Sequence, residues 1–182
     1  SQYAPNDYDF APTFGDLDGD DDLDLLIGSN LGALYCFYNE AGPGNPMNLV
    51  QNFNTLWSTM DVGQVSTPFI YDLDNDGLSD VLMGERNGNI NFYKNIGSPT
   101  EPNFNPDENT APNIPTLGAI NTQVIPNGIG FSSPQIISYN NQAALLTGTQ
   151  DGHFELYQLT GATSNSFPEI NLKFGNVDVG RR

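Results

Sequence analysis

The chain has 182 residues and carries 22 acidic against 5 basic side chains, a formal net charge of −17. A surface this acidic repels phosphate backbones and anionic headgroups, so we expect no nucleic-acid partner. No run approaches the roughly 18 apolar residues of a membrane-spanning helix, and we expect no membrane insertion. The 37% hydrophobic content, 19 glycines and 13 prolines are typical of one domain of short strands joined by turns.

The first repeat unit, about residues 9–55, predicts four short strands. The segment PTFGDL runs into an acidic loop, and the buried strand LDLLIGS follows it. A glycine turn then leads to the aromatic strand LYCFYN, and MNLVQNF is the least regular strand. No segment has the 3.6-residue apolar period of an amphipathic helix. Cys36 lies inside the aromatic strand, where we expect a buried structural thiol.

The second unit, about residues 65–117, repeats the first at an offset of 56 residues. Its turn contains Asn-Gly, a strong hairpin signal. Between the two units, Trp57 lies in the spacer NTLWSTM. We expect Trp57 and the strand aromatics to form core rather than a sugar-binding platform. The matched pairs are Pro12 and Pro68, Asp16 and Asp72, Gly28 and Gly84, Gly32 and Gly88, Phe37 and Tyr93, and Asn39 and Asn95.

A third unit, about residues 130–173, keeps the repeat glycines and loses the acidic loop. Its loop is two residues shorter and reads SYNNQAA, so we predict no metal in this unit. The final segment, 174–182, resembles residues 59–68, which form the lead-in to the second unit. It therefore predicts the start of a fourth unit. We therefore expect further repeats, either in the same parent protein or in a partner. The positions that match the earlier units are Pro134, Gly148, Gly152 and Tyr157.

Together these units predict an all-β fold. Four short strands per unit, repeated every 55–65 residues or so, are typical of a propeller blade. We predict a β-propeller segment of about three four-stranded blades plus the start of a fourth. Because propellers close with about four to eight blades, the segment is predicted to be part of a larger propeller.

The acidic loops of the first two units have the ligand spacing of a calcium site. Oxygen ligands at alternate positions of a short loop surround a hard cation, so we predict two Ca2+ ions. The alternative is a pair of ordinary acidic turns. Position 12 is Ile27 or Met83 rather than the glutamate of an EF-hand, and no His or Cys favours zinc. Position 6 is Gly77 in one loop and Asp21 in the other, where a sharp turn favours positive φ. The predicted side-chain ligands are Asp16, Asp18, Asp20 and Asp24 for one ion and Asp72, Asp74, Asp76 and Asp80 for the other, with the carbonyl groups of Asp22 and Leu78.

The sequence offers little that points to catalysis. His153 is the only histidine, and we expect it to be a solvated turn residue rather than a base. No pair of acids outside the loops can be placed at the separation that glycoside hydrolysis requires. We therefore expect a protein that is not an enzyme.

The segments FGDLDGD and YDLDNDG resemble FG-GAP or VCBS-type repeats, which form the propellers of integrin α-subunit heads and of many secreted bacterial proteins. The resemblance implies structural Ca2+, an extracellular or cell-surface location, and no particular catalytic activity. It favours a non-catalytic scaffold that mediates protein–protein contacts in adhesion or export. The alternatives are a carbohydrate-binding propeller module and an accessory domain of a larger secreted enzyme.

Overall fold

Three antiparallel sheets follow one another along the chain. The computed structural model describes residues 7–124, 128–162, 164–171, 173–177 and 179. The first sheet contains β1 (Ala11–Gly15), β2 (Asp24–Gly28), β3 (Leu34–Asn39) and β4 (Leu49–Asn52) in that order. The second contains β5 (Thr67–Tyr71), β6 (Asp80–Gly84) and β7 (Ile90–Tyr93). The third contains β8 (Ser133–Tyr139), β9 (Gln142–Gly148), β10 (Phe154–Gln158) and β11 (Glu169–Asn171).

The predicted all-β fold is confirmed, but the second sheet differs from the prediction of four strands. In place of a fourth strand it has isolated antiparallel bridges, one of which joins Phe92 to Ile114 through N–H···O bonds of 2.8 and 2.9 Å. Proline has no N–H to donate to a ladder, which confines it to edges and bulges. Five prolines in the segment 99–115 therefore prevent a longer pairing.

The spacer between the first two sheets contains a short helix. The sequence did not predict it, because no segment has the 3.6-residue apolar period of a helix. Helix α1 (Thr55–Thr59) begins after Asn54, whose side chain accepts a hydrogen bond from the N–H of Leu56. Its buried residue is Trp57, which is 2% exposed and packs against Phe104, with ring centroids 5.4 Å apart. Within the described chain, no helix is long and apolar enough to cross a membrane.

The three sheets stack through two apolar clusters. Side chains of the first sheet, including Leu26 and Cys36, pack against Val81 and Met83 of the second. The opposite face of the second sheet, including Leu82, packs against the third. Every residue of β6 and β7 is buried, because this sheet is covered on both faces. The expectation that Cys36 and Trp57 belong to the core is confirmed.

Each later sheet is joined to the preceding one by a buried serine just before its first strand. The Ser66 hydroxyl accepts from the Ser29 N–H at 2.8 Å and donates to the Ala33 carbonyl at 2.9 Å. Ser132 repeats this arrangement with its hydroxyl on Glu85, whose N–H lies at 2.9 Å. The serine lead-in thus closes onto the glycine turn of the preceding sheet, and Ser66 and Ser132, each two residues before a repeat proline, share one role.

The repeat glycines at the ends of β2 and β6 provide room for these lead-ins. A Cβ atom on Gly28 would lie 2.2 Å from the Ser66 carbonyl oxygen, and one on Gly84 would lie 2.4 Å from the Ser132 carbonyl oxygen. At Gly148, the nearest atom would be 3.8 Å away, in ordinary contact. The same glycine is therefore required by close approach in two sheets and not in the third.

This difference predicts opposite effects of one substitution at equivalent sites. Gly84→Ala should lower the free energy of unfolding by about 1–3 kcal/mol or more, because the methyl group meets backbone that cannot rotate away. Gly148→Ala should be neutral or slightly stabilising, since it restricts the unfolded chain without a clash. Urea unfolding of both variants measures the contrast, and equal destabilisation would contradict the assigned cause.

Candidate metal-binding loops

The two acidic loops have the same backbone shape. Left-handed conformations occur at position 4, with φ of 72° at Gly19 and 60° at Asn75. They recur at position 6, with φ of 66° at Asp21 and 88° at Gly77. The expectation of positive φ at position 6 is confirmed in both loops. Two left-handed residues separated by one residue curl the chain so that neighbouring carboxylates turn toward one centre.

Backbone N–H groups hold the first and last acids of each loop. Asp16 accepts from the N–H groups of Gly19 and Asp21 at 2.6 and 3.1 Å. Asp24, at the start of β2, accepts from Leu17 at 2.7 Å and from Asn39 at 2.8 Å. The second loop repeats both arrangements through Asp72 and Asp80, with Asp76, Gly77, Leu73 and Asn95 as the donors. These bonds fix the carboxylates before any ion arrives.

Three of the predicted side-chain ligands converge in each loop. Carboxylate oxygens of Asp16, Asp18 and Asp24 lie within 4.8 Å of one another, and so do those of Asp72, Asp74 and Asp80. Both groups lie close enough together to hold a metal ion. Position 5 is not in either group: Asp20 accepts from the Asp22 N–H at 2.9 Å, and Asp76 accepts from the Leu78 N–H at 3.0 Å. Ligation by the carbonyl groups of Asp22 and Leu78 stays a prediction.

Buried oxygens without a partner mark both loops. In the described part of the chain, four buried side-chain atoms accept or donate no hydrogen bond, and three of them are loop carboxylate oxygens. Asp22 is itself only 7% exposed. An unpaired buried carboxylate oxygen is costly, whereas a cation would satisfy it directly. The three oxygens are Asp18 Oδ1, Asp22 Oδ2 and Asp74 Oδ1.

Burial and mutual repulsion raise the proton affinity of the converging acids. Burial, followed by the charges of Asp24, Asp20 and Asp16, raises the pKa of Asp18 to about 6. Burial is also the main cause that raises the pKa of Asp80 to about 6 and the pKa of Asp24 above its ordinary value. Both loops therefore favour a proton or a cation among their carboxylates.

A lysine from the neighbouring strand reaches the second loop. Lys94 directly follows β7, and its ammonium contacts Asp74 and lies 2.7 Å from Asp76 Oδ2. Hydrogen bonding to Lys94 is the main cause that lowers the pKa of Asp76. Sequence reasoning missed this residue. In the repeat alignment, with its offset of 56 residues, Lys94 corresponds to Tyr38 of the first unit.

The first loop also touches the second sheet, which sequence reasoning did not predict. The Ser79 hydroxyl donates to the Asp16 carbonyl at 2.5 Å. A Cβ atom on Gly19 would lie 2.6 Å from the Pro99 carbonyl oxygen, so this loop packs closely against the chain that follows β7. The first loop is therefore part of the contact between two sheets, and its shape bears on how they dock.

The third sheet has a tight turn at the corresponding place. Asn140 and Asn141 join β8 to β9 with φ of 50° and 61°, as a two-residue hairpin with a right-handed strand twist requires. The turn offers no carboxylate, and the prediction that this unit binds no metal stays a prediction. His153 is not a solvated side chain as expected: it is 14% exposed and lies 3.7 Å from Glu155.

A cavity of about 760 Å³ lies at the end of the sheets where their first strands begin. It is separate from the acidic loops, which lie at the opposite end of the same strands. The lining combines aromatic rings, amides and one guanidinium. It includes Tyr8, Phe10, Gln64, Arg86, Phe131 and Gln150.

No known family model, curated protein or solved structure matches this chain. The resemblance to FG-GAP or VCBS-type repeats therefore stays a prediction. The geometry of the acidic loops is the evidence that bears on function.

The raised pKa values predict an unusual pH dependence for the metal-free protein. The folded state holds protons on Asp18 and Asp80 up to about pH 6, whereas the unfolded chain releases them near the ordinary value of 3.8. Stability should therefore fall as pH rises from 5 to 7. Thermal melts in EDTA measure this trend, and Asp18→Asn should weaken it. Stability that rises over the same range would contradict the prediction.

Proposed function

We propose that the chain is a calcium-stabilised β-propeller segment that serves as a non-catalytic scaffold of a secreted or cell-surface protein. One observation carries the proposal. Two loops at equivalent repeat positions each bring three carboxylates together, and each leaves a buried oxygen unpaired: Asp18 Oδ1 and Asp74 Oδ1. A single acidic turn arises easily, whereas the recurrence of this geometry favours a shared ligand.

The donor set favours calcium over other cations. Both loops offer only oxygen, which argues against zinc, for which His and Cys are the usual ligands. Curved loops with several carboxylates suit the larger and more flexible shell of Ca2+ better than the rigid octahedron of Mg2+. Asp16, Asp18 and Asp24 would hold one ion, and Asp72, Asp74 and Asp80 the other. The bound ion would neutralise mutual repulsion and connect the end of the first strand to the start of the second.

The packing of the sheets supports the propeller. The first strand of each sheet contacts the first strand of the next, β1 with β5 and β5 with β8. This is the arrangement expected of blades that converge on an axis through their inner strands. Of the segment predicted to start a fourth unit, residues 174–177 and 179 are described and the remainder lies outside the described residues. The Val179 N–H donates to the Gly152 carbonyl as the Thr122 N–H donates to that of Gly88, which supports a further repeat there.

The outer face of the first sheet supports a protein partner. Ile70, Val81 and Tyr93 of the second sheet pack against the first sheet. Their equivalents by the offset of 56 residues are Phe14, Leu25 and Phe37, which share one face of the first sheet. Phe14 is 49% exposed there. The partner that fits is another sheet of the same repeat, which would cover this face as the first sheet covers the second.

Two points support an extracellular or cell-surface location: the proposed calcium ions and the resemblance to FG-GAP or VCBS-type repeats. Extracellular calcium modules work at dissociation constants of about 0.1–1 mM, so a loop that binds calcium at about 10 μM would be filled outside the cell. The sequence resemblance to secreted and surface proteins points the same way. The chain would present its loops and end faces to other proteins in adhesion or export, or would serve as an accessory domain of a larger secreted enzyme.

Carbohydrate binding is the second candidate, and the cavity at the start of the first strands favours it. Its volume lies within the range of about 300–1,000 Å³ that is usual for ligand pockets, and its lining includes Gln64 and Phe10, which is 48% exposed. Trp57 is buried and cannot stack on a sugar.

The main proposal predicts that calcium removal destabilises the protein. With a dissociation constant of about 10 μM and about 1 mM free calcium, linkage gives roughly 2.7 kcal/mol per site. EGTA should therefore lower the melting temperature by roughly 5–10 °C per occupied site. The double variant Asp18→Asn, Asp74→Asn should lose this sensitivity, whereas the exposed-site control Glu40→Gln should keep it. An identical melting curve with and without EGTA would refute structural calcium.

A glycan array separates the second candidate from the first. If the cavity binds sugar, specific binding should appear and Phe10→Ala should weaken it about tenfold, since one aromatic contact is worth about 1–3 kcal/mol. Trp57→Phe should leave it unchanged if the fold is retained. Absent binding would favour the scaffold alone, whereas specific binding that survives the loss of Phe10 would contradict the assignment of the sugar to this cavity.

A further inference from the structure

We propose that Lys94 is a built-in counter-ion that competes with the divalent cation at the second loop, so that the first loop is the tighter calcium site. This inference rests on the proposed calcium function and adds an order of filling to it. The observation that carries it is the position of the Lys94 ammonium, which lies against Asp74 and Asp76 inside the acidic loop.

The contact of Lys94 involves an oxygen that the cation needs. Asp74 is one of the three converging carboxylates of the second loop. Its Oδ2 contacts the ammonium, while its Oδ1 is buried without a hydrogen-bond partner. A calcium ion in this loop would have to displace the ammonium or share Asp74 with it. In either case the lysine charge repels the incoming cation and lowers its affinity.

The first loop has no such charge. The residue at the position of Lys94 is Tyr38, which is partly buried against the core between the first two sheets. The loop carries six carboxylates within nine residues, against four in the second loop. None of the ion pairs found among the described residues reaches it. Among the described residues no cationic side chain offsets its charge, so protons or an ion from solution would relieve its repulsion.

The two loops consequently differ in what keeps them folded. Without calcium, the second loop is partly neutralised by Lys94 and keeps its shape. The first loop keeps the buried oxygens of Asp18 and Asp22 unpaired, and it gains most from an ion. Calcium should therefore fill the first loop at a lower concentration than the second. Most of the calcium-dependent stability should also come from the first loop.

Calorimetric titration of the whole chain with CaCl2 tests the order of filling. The wild type should show one tight and one weak step, with Asp18→Asn removing the tight step and Asp74→Asn the weak one. Lys94→Gln should tighten the weak step roughly tenfold or more, because the cation no longer competes with a charge at about 4 Å. The control Lys173→Gln removes the same charge from an exposed position outside the loops and should change neither step.

The reciprocal change places a lysine at the first loop. Tyr38→Lys should weaken the tight step by a similar factor, and Tyr38→Gln should not, since it removes the same ring without adding a charge. Circular dichroism of both variants confirms that they fold. If either fails to fold, Lys94→Gln alone decides the proposal.

The outcomes separate this inference from the calcium function. If the wild type binds calcium at both loops and Lys94→Gln leaves the weak step unchanged, the counter-ion role is refuted and the calcium function stands. The counter-ion role is also refuted, with the calcium function intact, if Asp74→Asn removes the tight step. If neither the wild type nor Lys94→Gln takes up calcium, both proposals are refuted.

Discussion

The architecture depends on one buried carboxylate at the end of each acidic loop. Asp24 and Asp80 are fully buried, and each accepts two backbone N–H groups. One donor lies at the start of the loop, at Leu17 or Leu73, and the other lies at or just after the end of the third strand, at Asn39 or Asn95. A single side chain therefore connects three strands of its sheet. This arrangement stabilises the loop geometry only if the charge is offset, since an uncompensated buried charge is costly. The neighbouring aspartates add further negative charge, so the sheets need a proton, a lysine or a metal ion at this point.

The docking of one sheet on the next follows a second constraint, which is the close approach of backbone. Ser66 and Ser132 bring each lead-in onto the preceding glycine turn, and only glycine fits at positions 28 and 84. The second sheet is buried on both faces, so every residue of β6 is buried, whereas buried and partly buried residues alternate along β2 of the first sheet. Short polar contacts thus position each sheet on the preceding one, while the apolar clusters supply most of the buried surface between the sheets.

Sequence reasoning predicted the features that recur and missed those that do not. The offset of 56 residues predicted the loops, the glycine turns and the aromatic strands, because each copy confirms the other. It did not predict the lost fourth strand of the second sheet, where prolines remove ladder donors, or helix α1, which at five residues is too short to show a period. Lys94 was missed because a charge that reaches a loop from another strand leaves no local pattern. His153 was misjudged because its burial follows from the packing of the folded sheet, which no local sequence pattern reports.

The three units offer three solutions to one geometric problem, which is how to turn from the first strand into the second. The third unit uses a two-residue turn without carboxylates, and it needs no counter-charge. The second keeps four aspartates and has a lysine within its own sheet. The first has six aspartates and no lysine, and its loop also contacts Ser79 and Pro99 of the neighbouring sheet. An ion in that loop would therefore stabilise a sheet and an interface together. We infer that dependence on calcium is concentrated at the first loop, where loss of the ion would loosen the contact between the first two sheets before it affected the third.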